Sequence, residues 1–144
     1  MNDADLDLQL FRVLARAYQA VADRDRRNIR SYGFNPTEFA VLELLYHKGP
    51  HPLQEIGEKI LITSGSITYV VNKLESKGLV AREPSAHDRR VAYAALTPRG
   101  RELIAGLFPG HAVNIGQILA GLDAAEKRTA IDLLKKLGFH AERA

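Results

Sequence analysis

The sequence predicts a mostly α-helical chain with one small β-hairpin, and three observations predict it. Apolar residues recur three and four apart through the first thirty residues and again through the last third. Three segments begin with strong helix-start signals, at Asn35, Thr97 and Asp123. Between the first two of these, the runs "LVARE" and "VAYAAL", part β-branched and part aromatic, flank the turn-forming "PSAHDRR".

At 144 residues and 46 % hydrophobic, the chain suits one domain with a real core and needs no covalent staple. It has no cysteine, which excludes disulfides, thiolate metal sites and any switch that oxidises a thiol. No apolar run approaches the ~20 residues of a membrane span, and the opening "MNDADLDLQL" is acidic where a signal peptide is basic. A soluble, cytoplasmic protein without membrane contact is expected.

Taken in order, the first helix is marked by Leu6, Leu10, Phe11, Leu14, Tyr18 and Val21, with no proline before Pro36. Its tail "DRDRRNIR", with Arg24, Arg26, Arg27 and Arg30, reads as a solvated helix end in preference to the alternative of a DNA contact. In "NPTEFAVLELLYHKG" Asn35 is the N-cap, Pro36 takes the first helical position and Glu38 follows the cap by three, with the end near Gly49 and Pro50. A short helix over 53–60 turns Ile56 and Ile60 inward, and Gly57 admits a close neighbour. "LIT" leaves only a tight turn before the next helix, over 64–77, which makes the pair a helix-turn-helix.

On that second helix Ile67, Val70, Val71 and Leu74 form the apolar stripe. The opposite face holds Ser66, Tyr69, Asn72 and Lys73, flanked by Thr68, with Ser64 and Gly65 at the N-terminal end. Short hydroxyls, an amide and an ammonium can approach base edges and phosphates, and the helix N-terminus adds its own N–H groups. Gly78 closes the helix, and a hairpin following directly is a wing. Further on, Thr97 and Pro98 open another helix, and Asp123 with Glu126 opens the last, for which Gly138 is the expected stop.

Charge is concentrated where the wing lies. Over 73–101 seven basic residues face three acidic ones, a local charge of +4, whereas the whole chain is +3 and the remainder therefore −1. Such placement suits a phosphate-facing surface. At the wing tip Arg89 and Arg90 can reach a minor groove, whose negative potential favours a guanidinium. Asp88 suits a different task, accepting hydrogen bonds from a nearby arginine or the turn backbone.

Over 34–101 the chain resembles the MarR family of bacterial transcription regulators. "FNPTEFAVLELLYHKG" is similar to the helix before their helix-turn-helix, and "ITSGSITYVVNKLESKGLV" to their recognition helix. "DRRVAYAALTPRG" is similar to their wing signature, D-x-R followed by L-T-x-x-G, with Asp88, Arg90, Leu96, Thr97 and Gly100 in place. The resemblance implies a winged helix-turn-helix plus a helical dimerisation region, as one intertwined domain: a dimerisation helix over 1–34, a DNA-binding region over 35–97 and dimerisation helices over 98–144. It implies a homodimer on a palindromic operator in double-stranded DNA. The apolar surface of the last third, including Leu107, Ile118, Leu122, Ile131, Leu134 and Leu137, exceeds what a lone helical pair conceals.

On this resemblance Ser64, Ser66, Thr68, Tyr69, Asn72 and Lys73 are the groove-facing set. Asn72 is a candidate for adenine, and Lys73 for guanine or phosphate. Arg82 positions the wing against the DNA backbone, with Asp88, Arg89 and Arg90 at the tip. The resemblance also implies a repressor released by a small aromatic or phenolic effector, with Tyr18, Tyr32, Phe34, Tyr46, Phe108 and His111 as candidate pocket residues. "LELLYHKGP" and "EKILITSGSITYVVNKLE" look most similar to the quinone- and hydroquinone-responsive members, and without cysteine such sensing is noncovalent.

Other classes find less support. His47 and His51 are separated by Gly49 and Pro50 and share no helix face, and His87, His111 and His140 are scattered, so neither a metal nor another cofactor is expected. No serine has a nucleophile-elbow context and no phosphate loop is present, so an enzyme is not expected. The alternative is a winged-helix module that binds protein instead of DNA, which salt dependence of binding would separate.

Overall fold

The computed structural model describes residues 2–60, 64–85, 87, 88 and 90–144, with the side chains of Ser64 and Gly65 outside that description. Helix α1 (Asp3–Ser31) leads into α2 (Pro36–Lys48), strand β1 (His51–Pro52), α3 (Leu53–Lys59), α4 (Ser64–Ser76), the hairpin strands β2 (Val80–Pro84) and β3 (Ala92–Leu96), α5 (Pro98–Ile118) and α6 (Ala124–Arg143).

The helix starts are made by the residues that announced them. The Asn35 side chain accepts from the Glu38 N–H at 2.8 Å and Glu38 returns the bond to the Asn35 N–H at 3.0 Å, satisfying two otherwise orphaned donors. Asp123 and Glu126 form the same reciprocal pair for α6. A further one, Asn2 with Asp5, opens α1. Helix α2 stops at Gly49, whose φ of 79° is left-handed backbone that a side chain resists.

Two expectations are corrected. Helix α6 does not stop at Gly138 but runs on to Arg143. Gly138 is not among the glycines with positive φ, and a glycine in helical conformation costs only about 1 kcal/mol, too little to end a helix by itself. The sheet, expected as a two-stranded hairpin, has three strands in the order β1-β3-β2, all antiparallel, with His51 opposite Ala94 and Arg82 opposite the same residue on the other edge. Two residues, one of them proline, carry no alternation from which a strand could be read.

The core lies where α2, α3, α4, the sheet and the start of α5 converge. Phe39, Val41, Leu42, Leu45, Ile56, Ile67, Val71, Leu74, Val80 and Ile104 are buried there. The wing signature turns out to be a joint in this core. The Thr97 hydroxyl donates to the Gly78 carbonyl at 2.7 Å and accepts from the Gly100 N–H at 3.0 Å, while the Thr97 N–H donates to the Leu79 carbonyl at 3.0 Å. A Cβ on Gly100 would lie 2.0 Å from the Leu79 carbonyl oxygen, so only glycine lets α5 seat against the end of the recognition segment.

Candidate nucleic-acid interface

Helix α4 divides as its sequence pattern requires. Ile67, Val70, Val71 and Leu74 are buried, and Ser66, Thr68, Tyr69, Asn72 and Lys73 are exposed on the opposite face. Tyr69 is 69 % exposed although aromatic, so the fold itself makes no use of most of its ring. Ser64 opens the helix.

Two residues of this face are tied to groups behind it. Arg82, on β2, donates from Nη2 to the Asn72 Oδ1, linking the wing to the recognition helix. Lys73 Nζ lies 3.7 Å from a Glu38 carboxylate oxygen, and Lys77 Nζ lies 3.0 Å from the other. Lys77 also sits 5.1 Å above the centre of the Phe34 ring. Glu38, legible in the sequence only as a capping residue, is buried and anchors α4 to the start of α2. Burial alone would raise its pKa. The Asn35 N–H, the Lys77 hydrogen bond and the charges of Lys77 and Lys73 outweigh that, and the carboxyl is held below its ordinary range.

The wing tip is shaped by short-range hydrogen bonds. Ser85 Oγ accepts from the His87 and Asp88 N–H groups at 3.2 and 3.3 Å. Asp88 Oδ1 accepts from the Arg90 N–H at 3.0 Å and from Arg90 Nε at 3.2 Å. The Asp88 carboxylate thus orders the turn and steers Arg90, whose side chain is 92 % exposed. Arg89, expected beside it, lies outside the described residues. The role of Ser85 was not foreseen; a Ser-x-x-Asp spacing within a turn was the available signal.

The aromatic residues named for an effector pocket are only partly brought together. Tyr32, Tyr46, Phe108 and His111 join through Phe39 and His47: Phe39 packs 4.7 Å from His111 and 5.5 Å from Tyr32, and Phe108 packs 4.6 Å from His47 and 6.1 Å from Tyr46, between ring centres. The Tyr32 hydroxyl accepts from Asn114 Nδ2 at 2.6 Å. His111 is buried and its Nδ1 has no hydrogen-bond partner among the described residues. Tyr18 stands apart, and Phe34, though in the same buried core as Phe39, makes no ring contact with the cluster among the described residues. Tyr18 precedes Tyr32 by about 21 Å of helix axis and is exposed in a groove with Asp25, Arg26 and Thr37, while Phe34 is covered by Lys77.

An exposed polar helix face, a hairpin locked to it by Arg82 and an ordered arginine at the hairpin tip define a winged helix-turn-helix DNA-binding regulator. The comparisons with known proteins agree. The MarR family model matches residues 34–92. The regulator MhqR of Bacillus subtilis, an HTH-type transcriptional regulator, is 50 % identical over 136 residues, covering 94 % of each chain. A structure of BpsR from Bordetella bronchiseptica, solved in relation to regulation of its DNA binding by 6-hydroxynicotinic acid, superposes with a TM-score of 0.76 at 29 % identity, over 88 % of this chain and 91 % of that one. Sco3205 of Streptomyces coelicolor, a MarR family regulator in complex with DNA, shares the fold with a TM-score of 0.83 at 22 % identity, over 96 % of this chain and 88 % of its own. The chain belongs to the MarR family and is a DNA-binding transcription regulator, which sets the enzyme reading aside. No described helix is long and apolar enough to cross a membrane.

Proposed function

We propose that this chain acts in the cytoplasm as a homodimeric repressor, reading a palindromic operator with two winged lobes and released from it by a small phenolic or quinone-like ligand. The observation that carries the dimer is the apolar surface of α1 and α6: Phe11, Leu133 and Phe139 are each more than half exposed, and no described residue of α6 is buried. A second copy supplies what covers them. Two recognition helices then face successive major grooves roughly 34 Å apart, with Ser64, Ser66, Thr68, Tyr69, Asn72 and Lys73 toward bases and phosphates, and Arg82, Asp88, Arg89 and Arg90 serving the wing.

The ligand part rests on the cluster of Tyr32, Tyr46, Phe108 and His111, which lies where α2 meets α5, between the winged lobe and the helical arms. His111 Nδ1, unpartnered among the described residues, and the Tyr32 hydroxyl offer polar contacts to a hydroxylated ring. The hydroxylated aromatic acid that regulates BpsR supports the class. A ligand that binds better to a lobe spacing unsuited to the operator releases DNA by that difference in affinity.

Fluorescence-anisotropy titration against promoter DNA, with and without a panel of phenols and quinones, tests this. A panel member that weakens selective binding of the wild type and not of Tyr32→Phe or His111→Gln supports the ligand assignment. A panel that leaves binding untouched removes it, and equal response of both variants moves the ligand elsewhere.

A further inference from the structure

Asn72 is the one side chain of the recognition face with both a donor and an acceptor at its tip in fixed geometry, the pairing that matches adenine, whose N6 donates and N7 accepts in the major groove. That match needs Asn72 Oδ1 to be available. The oxygen is held toward the wing: Arg82, with only donors on its guanidinium, bonds from β2 to one of its two lone pairs. Because an arginine offers nothing to the amide nitrogen, the orientation of the Asn72 amide follows from chemistry. Its Nδ2 points away from Arg82, so the exposed side chain cannot turn Oδ1 and Nδ2 together onto one adenine edge while that bond lasts, and its free end is the donor.

We propose that Arg82 is a specificity-positioning residue that converts Asn72 from an adenine reader into a donor-only probe. A donor-only probe pairs with N7 of either purine, with O6 of guanine and with O4 of thymine, and it is repelled by the N4 amino group of cytosine. The base pair facing Asn72 is therefore read as purine or thymine against cytosine, with no premium for adenine over guanine. The proposal rests on α4 being the reading helix.

The test measures binding to an operator series carrying each of the four base pairs at every half-site position, for wild type, Asn72→Ala, Arg82→Met and Arg82→Lys. Asn72→Ala locates the position by relaxing selectivity there. At that position wild type binds adenine and guanine within about threefold and cytosine about tenfold more weakly. Arg82→Met frees Oδ1, and a preference of about tenfold for adenine over guanine appears; Arg82→Lys, which still donates to Oδ1, restores tolerance. Loss of a phosphate contact made by Arg82 lowers all affinities alike and adds nothing to these ratios, so the ratios report the Asn72 amide alone. A wild-type preference of tenfold or more for adenine, unchanged in Arg82→Met, overturns the proposal and leaves the reading helix standing, as does an Asn72→Ala profile identical to wild type. Absence of sequence selectivity in wild type removes the reading helix itself, and this proposal with it.

Discussion

The winged lobe and the helical arms carry the same apolar periodicity and treat it in opposite ways. Within residues 29–104, Phe39, Leu42, Leu45 and Leu74 are at most 1 % exposed. In the arms, Phe11 of α1 is 71 % exposed and Leu133 of α6 is 61 % exposed. Spacing at three and four tells which face of a helix is apolar and leaves open what covers it. The lobe covers its own faces through α2, α4 and the sheet; in the arms Leu10, Phe11 and Leu14 of α1 and Leu137 of α6 line an open cleft, and in the dimer proposed above their exposed faces are halves of an interface.

The strongest way to break the contrast is inside the lobe. Gly100→Ala drives a methyl group into the Leu79 carbonyl and is expected to cost about 3 kcal/mol, read from urea unfolding followed by helical circular dichroism. In the arms, Phe11→Asp leaves the packing of the lobe intact and shifts the dimer toward monomer, measured by sedimentation velocity across protein concentrations, with operator affinity falling in step. An unchanged oligomeric state would mean that these faces are not the interface.

Glu38→Gln sharpens the comparison at the joint between α2 and α4. Glutamine keeps the capping bond to Asn35 and loses the charge that holds Lys73 and Lys77. Since both lysines are more than a third exposed, the cost is about 1 kcal/mol, below that of a fully buried pair. A carboxyl whose folded pKa lies below its ordinary 4.5 binds fewer protons folded than unfolded. Its contribution is present above 4.5 and is lost as pH falls through the depressed folded value. The stability gap between wild type and Glu38→Gln should accordingly close as the pH is lowered from about 4.5, in parallel unfolding titrations. Arg90→Ala has the smallest structural effect: thermal stability stays unchanged, and the slope of log affinity against log salt drops by about 1 if the guanidinium meets a phosphate.

What the sequence made legible was local. The Asn35, Thr97 and Asp123 caps, the stripe from Ile67 to Leu74 and the turn-ordering part of Asp88 all depend on residues within one or two helical turns of each other. What escaped it was long-range. Glu38 meets Lys77 from 39 residues away, and its capping task hid the other. Arg82 reaches Asn72 across the end of α4, a contact that the helix drawn alone does not contain. Gly100, legible as a signature residue, owes its identity to a backbone contact with Leu79 that no spacing rule contains. Tyr18 and Phe34 were grouped with the other aromatics by type, and the length of α1 and the cover of Lys77 separate them.

The most direct measurement of the central claim, two lobes reading DNA through a partnered pair of arms, is binding to a full palindromic operator and to its isolated half-site at two salt concentrations. One dimer per palindrome is predicted, with much weaker binding to the half-site and an affinity that falls steeply as salt rises. Equal affinity for half-site and palindrome would contradict the paired lobes, and binding indifferent to both sequence and salt would contradict the recognition face.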